Sequence, residues 1–112
     1  MMKDKRITPV CKIWFEKDGK PFLGKGGAQI LEAIRNEKSV SKAAKKLGMS
    51  YRYVWNYVYR MNTVLSEPVV KAYRGGKQGG GGANLTSLGE ELLKEYRRIE
   101  KHMNEALSNK PC

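Results

Sequence analysis

The sequence predicts a single α+β domain in the order β-hairpin, three helices, β-hairpin, long helix. Three observations carry that expectation. The apolar residues change period after "GKGG" at 24–27. An alanine-rich and an aromatic-rich segment flank Gly48. "GGKQGGGG", six glycines in eight residues, sits between two strand-like stretches. A chain of 112 residues has room for one modest core, and 40% apolar residues are enough to build it.

Residues 9–24, "PVCKIWFEKDGKPFLG", open the chain's order as a hairpin. Val10, Ile13, Trp14 and Phe15 are strand-favouring types, Asp18-Gly19 is a turn signal, and "PFL" runs back as a short partner. Ala28, Ile30, Leu31, Ala33 and Ile34 then recur at helical spacing, giving helix 1 over 27–37. "GKGG" before it lacks the spacing and the hydroxyl of a nucleotide-binding loop, so a plain turn is expected.

The segment 41–65 divides into two helices. Ser41 is read as the N-cap of a short helix 2 over Lys42 to Leu47, and Gly48 stands where a left-handed residue ends it. Ser50 caps helix 3, which runs to about Leu65. Pro68 stops the helix, and 68–86 reads as a second hairpin around the glycine run. A flexible linker is the competing reading, but only 30 residues follow Gly82. Thr86 or Ser87 starts the last helix, 87–108. There Leu92, Tyr96, Ile99, Met103 and Ala106 are spaced 4-3-4-3.

On a helical wheel, helix 3 sends Val54, Val58, Met61 and Leu65 to one arc. Arg52, Asn56, Tyr59 and Thr63 lie nearly opposite, with Trp55 and Arg60 at the margins. Tyr53 and Tyr57 fall nearer the core edge and read as structural. An outward face of Arg, Asn and aromatics suits base edges and phosphates.

Charge supports that face. Lys and Arg number 22 against 11 acids, a net +11, which asks for an anionic partner, with nucleic acid ahead of a membrane surface. No apolar run spans a bilayer and no signal peptide opens the chain, so a cytoplasmic, nucleoid-associated protein is expected. Cys11 and Cys112 suggest neither disulfide nor zinc, and His102 has no ligand partner. No nucleophile–base set or cofactor loop is recognisable. Neither enzyme activity, cofactor, metal nor small-molecule effector is expected.

Ala44, Gly48 and Val54 match the spacing of the helix-turn-helix family. "SVSKAAKKLGMSYRYVWNYVYRMN" followed by "GGKQGGGGANLTSLGEELL" resembles the DNA-binding domain of ModE-type molybdate-responsive regulators, themselves similar to LysR-type regulators. "IWFEKDGKPFLGKG" is also similar to short archaeal ModE-like proteins. The resemblance spans about residues 10 to 107. It implies a winged helix dimerised through its terminal helix, with helix 3 in the DNA major groove and the hairpin 68–86 as wing. The C-terminal molybdate-binding region of that family has no counterpart before Cys112, so molybdate sensing is not expected.

The expected DNA-contacting set is therefore Lys42, Lys45, Lys46, Ser50, Tyr51, Arg52, Trp55, Asn56, Tyr59 and Arg60, with Lys77 at the wing. For the three lysines of helix 2 a merely solvated face is an equal alternative. The expected dimer face is Leu92, Tyr96, Ile99, Met103 and Ala106, since a helix of ~20 residues extends ~30 Å and leaves a core of this size behind. A homodimer would present two recognition helices ~34 Å apart to a palindromic site. Sequence-specific regulation of transcription leads. A sequence-neutral architectural protein and a protein-interaction adaptor are the alternatives.

Overall fold

Two short antiparallel hairpins bracket a three-helix unit, and a long helix closes the chain, in a computed structural model that describes residues 3–73 and 81–108. The elements are β1 (Phe15–Lys17), β2 (Lys20–Leu23), α1 (Lys25–Glu37), α2 (Val40–Leu47), α3 (Tyr51–Leu65), β3 (Val70–Tyr73), β4 (Gly82–Leu85) and α4 (Ser87–Ser108). This is an α+β winged helix-turn-helix, the fold class expected from the sequence.

The first hairpin turns on Asp18 and Gly19, both at positive φ (52° and 78°), the geometry of a two-residue turn. It is shorter than the expected 9–24. The register shifts at a bulge between Phe15 and Glu16, and pairing ends with Phe15 opposite Leu23. Upstream, the Trp14 indole donates to Glu16 Oε2 at 2.7 Å, and the Ile13 carbonyl accepts from Tyr96. Val10 and Trp14 are left exposed, so β-branched and aromatic character did not make a strand where no partner strand reached.

Helix α1 begins at Lys25, two residues before the expected start, and Gly27 lies buried under the Tyr57 ring. The "GKGG" stretch is thus a packed helix start. The cap of α2 is Ser39, not Ser41: Ser39 is extended (φ −159°, ψ 130°) and its Oγ accepts the Lys42 N–H at 3.1 Å. The reason is Val40. Starting the helix one residue after Ser39 turns Val40 into the core, where it is 5% exposed.

The core gathers Ile30, Leu31 and Ile34 from α1, Ala43 and Ala44 from α2, and Val54, Val58 and Met61 from α3. Leu23, Val69, Ala83, Leu93 and Tyr96 complete it. Each large aliphatic buried there contributes about 1.5–3 kcal/mol before entropy is counted. Among the described residues no polar or charged side chain is buried. Helix α4 is fastened to α1 by Arg97 with Glu32 and, more loosely, by Arg35 with Glu90 at 4.0 Å.

Beyond Glu100 all of α4 to Ser108 is exposed. The expected stripe on this helix needs one correction. Tyr96 is 2% exposed, with its hydroxyl donating to the Ile13 carbonyl at 3.0 Å, so it is a core residue and not part of a free face. Leu93, absent from the stripe, is buried beside it, while Leu92 packs on the core edge.

Candidate nucleic-acid interface

The turn between α2 and α3 is built by Gly48, which adopts φ 69° and ψ 28°, a conformation that strains any residue with a Cβ. Its neighbour Met49 closes the turn by donating its N–H to the Ala44 carbonyl at 2.9 Å. Ser50 then caps α3, its Oγ accepting the Tyr53 N–H at 3.0 Å. That bond uses the oxygen of Ser50 and leaves its hydroxyl hydrogen to donate.

Val54, Val58 and Met61 of α3 are fully buried. With that side sealed, Arg52, Asn56, Tyr59 and Arg60 stand exposed. The Arg60 guanidinium sits 4.6 Å from the centre of the Tyr57 ring, a cation–π contact that holds the arginine against the helix. Tyr57 is half-buried, and its hydroxyl accepts the Gly24 N–H at 3.4 Å. Tyr53, expected at the core edge, is instead 52% exposed: one residue back from the Val54 stripe leaves its ring outside, edge-on to Tyr57.

Tyr51, Trp55 and Tyr59 recur every four residues and touch in series. Trp55 meets Tyr51 edge-to-face at 6.3 Å and stacks on Tyr59 at 5.2 Å with 24° between planes. Spacing of i, i+4 puts them one above another on the helix. Trp55 is only half-exposed, packed against the core margin, and so is the fixed rung of this ladder.

On α2, Lys42 and Lys45 are exposed, whereas the Lys46 ammonium is paired with Glu37 at 3.2 Å. The wing hairpin joins β3 to β4 with Tyr73 opposite Gly82 and Ala72 opposite Ala83, and Ala83 N–H also bonds the Lys38 carbonyl at 3.0 Å. That last bond ties the wing to the α1–α2 corner. Lys77 lies outside the described residues. The expected contact set omits Tyr73 (53% exposed) and Lys71 on β3 and Ser39 at the start of α2, and it gives Ser41 a capping role only. A strand of only four residues leaves too few positions for a period to reveal which side faces out.

Among the described residues no group of three His, Cys, Asp or Glu side chains is placed to hold a metal ion. No described helix is long and apolar enough to cross a membrane.

No protein-family model matches the chain. Curated proteins do. The molybdenum-pterin-binding protein MopB of Rhodobacter capsulatus is 42% identical over 87 residues, 78% of this chain and 32% of that protein. The DNA-binding transcriptional dual regulator ModE of Escherichia coli K12 is 39% identical over 67 residues, 60% of this chain and 25% of that one. The chain is homologous to ModE-type regulators. It spans about a third of the length of the curated relatives it matches. Among solved structures, the CbnR DBD–DNA complex superposes with a TM-score of 0.55 at 20% identity, covering 70% of this chain and 84% of that one. At that identity the likeness concerns the fold alone. The named relatives are molybdenum-pterin-binding proteins and ModE transcription regulators; none is named as an enzyme.

Proposed function

We propose that this ModE-type domain binds double-stranded DNA sequence-specifically in transcription regulation, as a homodimer. In this reading α3 enters the major groove and the wing rests on the adjacent backbone or minor groove. The observation that carries it is the division of α3: a fully buried Val54–Val58–Met61 side and, opposite, exposed Arg52, Asn56 and Tyr59. Arg52 offers a bidentate donor to guanine, and Asn56 a donor–acceptor pair to adenine. Tyr51, Ser50, Arg60, Lys42 and Lys45 hold phosphates, with Lys77 at the wing. Lys46 contributes less, because Glu37 already engages it. Trp55 acts chiefly as the support that fixes Tyr51 and Tyr59.

Selection of a binding site from random duplexes tests the reading. A defined site should emerge. Asn56→Ala should then cost about 1–3 kcal/mol, concentrated at one base pair, whereas Lys45→Ala should weaken all sequences alike and lower the salt slope by about one. The net charge of +11 also suits a sequence-neutral architectural protein. Equal affinity for every duplex, falling steeply with salt, would favour that second reading.

A further inference from the structure

A cleft of about 400 Å³ separates the wing from the helix-turn-helix. Ser39 and Ser41 line it from the start of α2, Tyr51 and Trp55 from α3, and Tyr73 and Gly82 from the wing. Among the described residues, none that lines it is charged, in a chain where 29% of residues are. Tyr73 lies folded over its strand partner: a Cβ at Gly82 would come within 2.4 Å of the Tyr73 ring and hydroxyl. Glycine at 82 thus lets the phenol lie along the wing. The cleft has two aromatic rings of α3 on one wall, one of β3 on the other, and serine hydroxyls between.

We infer that this cleft seats the sugar–phosphate strand dividing the two grooves and holds it through neutral groups instead of cations. The inference rests on the DNA-binding reading above. If α3 occupies a major groove and the wing the neighbouring backbone or minor groove, one strand must pass between those two elements, and the cleft is what lies between them. The hydroxyls of Ser41, Tyr51 and Tyr73 donate to phosphate oxygens, and the ring bodies pack on deoxyribose. Ser39 can join them, since its oxygen accepts the Lys42 N–H while its hydrogen stays free. Such contacts neutralise no phosphate charge and release no counterions. They therefore add the same increment to affinity at every salt concentration, and they set the wing's position relative to α3.

The test uses the full chain, a duplex carrying the selected site and a random duplex, with affinity measured across a series of potassium chloride concentrations. Tyr73→Phe and Ser41→Ala are each expected to lower affinity about ten- to a hundredfold, the size of one lost hydrogen bond to a charged acceptor. The loss should be equal on both duplexes, and the plots of log affinity against log salt should run parallel to wild type. Both residues are exposed, and unchanged thermal melting confirms that the fold is intact. A methylphosphonate walked along the duplex should find a position where the double variant loses nothing more. Unchanged affinity in the double variant, a shallower salt slope, or a loss confined to the selected site would each overturn the inference. Wild-type protein that binds no duplex would instead sink the DNA-binding reading itself.

Discussion

Tyr96 presses its ring on Phe15, with centroids 5.5 Å apart, and spends its hydroxyl on the Ile13 carbonyl, 83 residues away in sequence. Burial is the main reason its pKa is raised above the ordinary tyrosine value, with the Glu100 carboxylate adding to the effect. The sign follows from that direction. The folded state favours the neutral phenol, so this stabilisation is fully present below the unfolded pKa of ~10 and is lost as pH rises through the folded value. Melting temperature should therefore fall on the alkaline side above about pH 10, and less so in Tyr96→Phe, which has no phenol to ionise. At neutral pH that variant should cost about 0.5–1.5 kcal/mol in urea denaturation, the value of the hydrogen bond alone. An equally steep alkaline decline in both proteins would refute the assignment. Helical spacing made Tyr96 visible as apolar, but it cannot say which of two overlapping stripes a shared residue serves. Leu93 and Tyr96 both turn into the core, and the Tyr96 hydroxyl finds its partner in the Ile13 carbonyl, a contact that no local pattern encodes.

The start of α4 is where an element is held by its neighbours. The Thr86 Oγ1 donates to the Pro68 carbonyl at 2.8 Å and accepts the Gly89 N–H at 3.1 Å, while the Thr86 N–H bonds the Val69 carbonyl at 3.0 Å. One threonine thus caps the helix and ties it to the residues that lead into β3. Gly89 lies directly against that carbonyl: a Cβ there would stand 2.2 Å from the Val69 oxygen. Helix propensity alone would make Gly89→Ala stabilising by up to about 1 kcal/mol. The clash is with backbone, which cannot rotate aside as a side chain can. The substitution should instead destabilise by about 1–3 kcal/mol, and chemical denaturation will show which effect wins. The sequence carries the existence of α3 and α4 plainly, because both are long and periodic. Ser41 was the expected cap, but either serine flanking Val40 can cap a helix, and only the burial of Val40 decides for Ser39. The stretch before Phe15 misled for the opposite reason: strand-favouring residues need a partner, and β2 is only four residues long.

Charge is divided unevenly over the molecule. Helix α4 carries five acids (Glu90, Glu91, Glu95, Glu100, Glu105) and four bases (Lys94, Arg97, Arg98, Lys101), a net of −1, so the rest of the chain holds +12 of the total +11. Two copies with this balance repel one another over most of their surface. Only along α4, and most of all over its projecting end, can they approach without that cost. The same end bears Met103 and Leu107, 42% and 36% exposed, below a half-buried Ile99. Spaced four residues apart, these three form a seam on one side of the helix, where a second copy of α4 would cover them. Sedimentation of the wild-type chain should accordingly give a dimer. Met103→Glu with Leu107→Glu should give a monomer of unchanged melting profile, because neither residue touches the core. The monomer should lose far more affinity for a palindromic site than for a single half-site, since only the former uses both recognition helices at once. A wild-type chain that sediments as a monomer while still preferring the palindrome would show that something other than α4 pairs the two copies.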